Sequence, residues 1–123
     1  MNGHRHIIVA HRHPLVAEAL DVALSGQGYV VHAAVTYRKA RALVALLKLG
    51  LAAVIAHADM PDEPHAGTLL RAVEVLHPEA ALVVMSGPFQ NDIGPLPEKA
   101  VVLPEPFDRE ALLDAIAVAS VTS

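Results

Sequence analysis

A chain of 123 residues has the length of one domain, and its hydrophobic share of 54%, with two Phe, two Tyr and no Trp, argues for a packed core rather than disorder. No apolar run reaches the roughly 18 residues needed to span a bilayer, and the first residues carry no signal-peptide stretch. A net charge of -4 offers no footprint for nucleic acid, so the reading is a cytoplasmic protein with neither membrane nor nucleic acid as partner. Cysteine is absent, which removes disulfides and thiolate chemistry, while eight histidines let the charge rise on acidification.

His6 to Ala10 reads as a first strand, and Pro14 begins a helical pattern with Leu15, Ala19, Val22 and Ala23 on one inward face until Gly26. A second strand, Tyr29 to Val35, leads to Thr36, whose hydroxyl caps a helix with Ala40, Leu43, Val44 and Leu47 inward before Gly50. Leu51 to Ala56 is apolar without alternation, the pattern of a strand buried on both faces. Gly67 to Leu76 places Leu69, Leu70, Val73 and Leu76 at helical spacing, stopped by His77-Pro78. Ala81 to Met85 and Ala100 to Leu103 give two more strands, and Asp108 caps a last helix with Leu112, Ile116 and Ala119 on its buried stripe.

The segment from Gly87 to Lys99 holds three prolines and two glycines, which predicts an extended loop or a single turn in place of a full helix. Phe89, Ile93 and Leu96 within it serve either as exposed anchors or as cover for the sheet. Alternation of strand and helix, broken only by that loop, predicts one doubly wound parallel sheet over residues 1–123. Function in such sheets lies beyond the strand C-termini. That rule selects His11, Arg12 and His13, then His57 to Pro61, Ser86 with Gly87, and Pro104 to Phe107.

At these strand ends the chain resembles the response-regulator receiver domains of two-component signalling. Val9-Ala10-His11-Arg12-His13-Pro14-Leu15 keeps the family's proline after strand one, with His11 and Arg12 at the positions of the acidic pair. His57-Ala58-Asp59-Met60-Pro61, followed by Gly67, matches the aspartate-x-x-x-proline stretch with His57 at the phosphoacceptor position. Ser86 matches the hydroxyl after strand four, Glu105-Pro106-Phe107 stands where the family has lysine-proline-phenylalanine, and Val102 stands at the aromatic switch position. The resemblance implies a flavodoxin-like, five-stranded α/β receiver fold of order 2-1-3-4-5, with its fourth helix shortened or replaced by the loop. It also implies that Pro106 invites a cis bond.

Receiver chemistry needs oxygen ligands for Mg²⁺, a carboxylate to take the phosphoryl group and a cation beside the product. Imidazoles and a guanidinium replace the carboxylates, so neither Mg²⁺ nor aspartyl phosphorylation is expected, and Asp59, two residues along, should point elsewhere than His57. Arg12 and Glu105 are expected either to pair across the crevice or to be solvated rim charges. Zn²⁺ held by His11, His57 and Glu105, with or without His13, is the metal alternative. A phosphoramidate on His57 and a hydrolase built on Ser86 are disfavoured, since no docking donor and no nucleophile elbow are apparent. His4, His6, His32, His65 and His77 read as surface or turn residues.

The sequence therefore predicts a non-enzymatic, atypical pseudo-receiver of the phosphorelay type, acting by phosphorylation-independent protein-protein interaction. Its partner would be a signalling protein such as a histidine kinase or another regulator, or a second copy in a homodimer. The last helix and fifth strand are the expected contact surface. A metal- or small-ligand-binding sensor using the histidine-rich crevice is the alternative.

Overall fold

The computed structural model describes residues 5–47, 50–63, 65–87 and 93–121. Strand and helix alternate through them except between the last two strands: β1 (His6–Ala10), α1 (Pro14–Ser25), β2 (Val30–Ala34), α2 (Tyr37–Leu46), β3 (Leu51–His57), α3 (Gly67–Leu76), β4 (Ala81–Ser86), β5 (Val101–Pro104) and α4 (Arg109–Val121). The five strands form one parallel sheet in the order β2-β1-β3-β4-β5, as the alternation and the resemblance implied. Among the described residues, no helix is long and apolar enough to cross a membrane.

Burial follows position in the sheet. Every residue of β4 is buried, and all of β3 except Ala52, whereas the edge strands β2 and β5 are partly open. Successive side chains point to opposite faces. Ile7, Val9, Ile55 and Val83 meet Leu20, Leu24, Leu112 and Ile116 on the α1/α4 face. Ile8, Val54, Leu82 and Val84 meet Tyr37, Val44, Leu69 and Leu70 on the α2/α3 face.

Local signals explain where the helices begin. The Thr36 hydroxyl accepts from the Lys39 N–H at 3.2 Å, and an Asp108 carboxylate oxygen accepts from the Ala111 N–H at 2.8 Å. A Cβ on Gly67 would run into the Pro95 carbonyl, so the start of α3 needs glycine to admit the chain packed against it.

Three expectations are corrected or decided. On α1 the buried stripe is Ala17, Leu20 and Leu24, while Leu15 and Val22 are 79% and 69% exposed. This Ala-, Val- and Leu-rich helix has two apolar stripes at helical spacing, and the one with paired leucines faces the sheet. Leu76, at the end of α3, is likewise exposed rather than inward. Residues 93–100 contain no helix, and Ile93 and Leu96 pack against the core on the α2/α3 side, so they cover the sheet. Phe89 lies outside the described residues.

Candidate functional site

Parallel strands deliver their C-termini to one edge of the sheet, and three polar side chains converge there. His11 follows β1, with its N–H donating to the Ala34 carbonyl at 3.0 Å; Glu105 follows β5, with its N–H donating to the Ser86 carbonyl at 2.7 Å. His57 is the last residue of β3. Each Glu105 carboxylate oxygen takes one imidazole: His11 Nε2 lies 3.1 Å from Oε2, and His57 Nε2 lies 3.1 Å from Oε1. The two rings meet edge to face with centroids 4.6 Å apart. Both histidines are buried, His11 at 1% exposure and His57 at 8%.

Hydrogen bonding assigns the protons. The His13 N–H donates to His11 Nδ1 at 3.1 Å, so that nitrogen carries a lone pair and Nε2 donates to Glu105. His57 Nδ1 has two options, since the Asp59 N–H lies 3.1 Å away and the Asp59 carbonyl oxygen 2.9 Å away. Facing a carboxylate, His57 Nε2 is also the donor. Burial pulls the His11 pKa below its ordinary value, the Glu105 hydrogen bond opposes that pull, and charge on His57 adds to it.

The end of β3 is fixed from behind. The Tyr37 hydroxyl donates to the His57 carbonyl at 2.6 Å, and the Asp62 carboxylate accepts from the N–H groups of Tyr37 and Arg38, each at 2.9 Å. Burial first, then the nearby carboxylates of Glu63, Asp59 and Asp62, push the Tyr37 hydroxyl pKa well up, so it stays protonated and donates. Sequence reading did not single out Tyr37 or Asp62. The available signal was an aromatic residue opening a capped helix and an acid in the loop after His57.

Of the two alternatives for Arg12 and Glu105, the pair across the crevice does not form. Arg12 Nη1 instead lies 2.8 Å from Asp59 Oδ2 in an exposed pair, because the loop after β3 brings that carboxylate to the rim while the histidines turn Glu105 inward. Such a pair contributes under about 1 kcal/mol. Asp59 thus points away from the position His57 occupies, as expected. His13 is exposed and contributes its backbone N–H rather than its imidazole. Ser86 is 8% exposed at the end of β4, and Val102 is 41% exposed on β5.

Of the histidines read as surface or turn residues, the described ones, His6, His32, His65 and His77, are half-buried. His6 and His32 stack with Nδ1 and Nε2 2.9 Å apart, and His77 Nε2 donates to the Val44 carbonyl at 2.9 Å. His65 is also partly buried, and His4 lies outside the described residues.

The Mg²⁺ implied by the resemblance does not fit this donor set. Two imidazoles and one carboxylate with both oxygens engaged replace the oxygen-rich shell that the ion takes. Glu105 also lines a groove of about 430 Å³ between α1 and the turn after β5, together with Val16, Ala19, Leu20, Pro106 and Phe107. The Glu105-Pro106 bond in that turn is cis.

No protein-family model matches the chain, and no curated protein matches it. Solved structures do. A response regulator receiver protein from Sinorhizobium medicae superposes with a TM-score of 0.82 at 17% identity, over 96% of this chain and 95% of that one. The signal receiver domain of an HD domain-containing protein from Pseudomonas fluorescens gives 0.78 at 20% identity, over 99% and 90%. The beryllofluoride-activated NtrC4 receiver domain, solved as a dimer, gives 0.74 at 20% identity, over 95% and 97%. At these identities the likeness is one of fold: the chain has the fold of the response-regulator receiver domains of two-component signalling.

Proposed function

We propose that this chain is a non-enzymatic receiver-like domain of two-component signal transduction that acts by protein-protein contact without being phosphorylated. The observation that carries this reading is the clasp formed by His11 and His57 on the two carboxylate oxygens of Glu105. A histidine ends β3 where the resemblance places the phosphoacceptor, and the residue in the family's lysine position is a carboxylate bonded to that histidine. Imidazole and glutamate in those places leave no aspartyl acceptor, no cation beside it and no shell for Mg²⁺.

A contact role is supported by a groove beside Glu105 and by exposed apolar residues on α1, β5 and α4. The groove between α1 and the turn after β5 is lined mostly by apolar residues, and Leu15 and Val22 stand exposed on α1. Val102 on β5 and Val118 and Val121 on α4 are exposed as well, on the elements expected to meet a partner. A histidine kinase or another regulator is the proposed partner. A homodimer is the second reading, favoured by the dimer seen for the NtrC4 receiver domain.

The test is a binding titration with a histidine kinase of the same organism, run with and without acetyl phosphate and Mg²⁺. Equal affinity in the two conditions is expected. Binding that appears only with the phosphodonor contradicts the proposal.

A further inference from the structure

We infer that His11, His57 and Glu105 form a binding site for a divalent transition metal of the zinc type, with an open fourth position. One ligand atom from each residue lies within 4.8 Å of the others, and the three arrive from the ends of three different strands. Each Nε2 is 3.1 Å from a different oxygen of Glu105. In a tetrahedral site with bonds near 2.0–2.1 Å, ligand atoms stand about 3.3 Å apart. Each imidazole therefore already stands at nearly that distance from the carboxylate, and the remaining donor pairs, all within 4.8 Å, close in further when an ion binds.

Donor chemistry selects the ion. Two imidazoles with one carboxylate are the set that holds Zn²⁺ with a vacant position, and they are poor partners for Mg²⁺ or Ca²⁺. Arg12, the nearest cationic side chain in sequence, has its charge engaged by Asp59 at 2.8 Å. Burial of both rings excludes competing water, and strand ends fix the ligands more firmly than loop tips would.

Metal-bound imidazole requires its second nitrogen to donate to an acceptor. His57 has that acceptor in the Asp59 carbonyl, 2.9 Å from Nδ1. His11 has the His13 N–H at Nδ1 instead, so coordination requires that amide to turn away. The His13 carbonyl is held by the Val16 and Ala17 N–H groups of α1, whereas its own N–H belongs to the preceding, exposed peptide plane and can turn separately. Loss of the His13 amide hydrogen bond is thus a signature of metal at this site, which adventitious binding to surface histidines does not produce.

This inference stands apart from the proposed function, because a domain with or without a metal here equally lacks an aspartyl acceptor. The test is calorimetric titration of the untagged chain with Zn²⁺ at neutral pH in a non-coordinating buffer. A single equivalent is expected to bind, with faster hydrogen exchange at the His13 amide. Because loss of an outer-shell partner already weakens metal binding by about 10–100-fold, His57→Gln and Glu105→Gln, each replacing a ligand, should each weaken it by at least about 100-fold. His32→Gln, at the stacked pair with His6, should leave it unchanged. If circular dichroism shows His57→Gln unfolded, Glu105→Gln alone decides. No heat of binding overturns the inference, as does affinity that survives Glu105→Gln or disappears with His32→Gln.

Discussion

Tyr37 donates its buried hydroxyl to the backbone carbonyl of His57 at 2.6 Å, tying the first turn of α2 to the end of β3. Tyr37→Phe keeps the ring in the core but leaves that carbonyl without its donor. A buried acceptor left unpaired costs about 1–3 kcal/mol. Urea denaturation should show a loss in that range with little change in the slope.

Glu105 separates hydrogen bonding from charge. Glu105→Gln keeps an acceptor for His11, whose tautomer is set by the His13 N–H, and turns an amide NH₂ toward His57. His57 accommodates this by moving its proton to Nδ1, where the Asp59 carbonyl accepts it. The expected cost is about 1 kcal/mol, against about 2–3 kcal/mol for Glu105→Ala, which leaves Nε2 of both imidazoles without a partner. Equal losses for the two variants in chemical denaturation would rule out this picture of the clasp.

Asp62 caps α2 from a distance. Burial would raise its carboxyl pKa, but the N–H groups of Tyr37 and Arg38 hold it below the usual value. A lowered folded value means the contribution is present above the unfolded carboxyl value and lost as pH falls through the folded one. Asp62→Ala should therefore cost about 1 kcal/mol at neutral pH and much less in acid. Stability measured across the carboxylate range checks both statements.

His32 behaves in the same sense at higher pH. Burial and the neighbouring His6 lower its pKa, so the folded chain binds fewer protons than the unfolded one. Its contribution is complete above the ordinary imidazole value and disappears as pH falls through the lowered one. Thermal melts across that window should show less acid sensitivity in His32→Gln than in the parent.

Restoring one carboxylate should not restore the chemistry. His57→Asp places a second acid opposite Glu105, removes a donor and leaves His11 and Arg12 where a cation would need oxygen ligands. The variant should be less stable by about 1–3 kcal/mol and should gain no phosphate from acetyl phosphate with Mg²⁺. Intact-mass measurement and denaturation test the two parts separately.

The fold was legible because its signals are local and repeated. Apolar runs at Leu51 and Ala81, the caps at Thr36 and Asp108, and the breakers at Gly26 and Pro78 each act within a few residues of themselves. Which stripe of α1 faces the sheet was not legible, since Leu15 with Val22, seven residues apart, and Leu20 with Leu24, four apart, both lie at helical spacing. The strand-end rule gathered His11, His57 and Glu105 correctly, because parallel strands deliver their ends to one edge. Pairing within that edge depends on loop paths. Asp59 reaching Arg12, and Tyr37 reaching back to His57, are contacts between separate loops and elements that spacing does not encode.

Whether this receiver fold takes a phosphoryl group is decided by intact-mass spectrometry of the purified chain after incubation with acetyl phosphate and Mg²⁺. The expected mass is identical to that of the untreated protein. A stoichiometric gain of one phosphoryl group, whether acid-labile or base-labile, would contradict it.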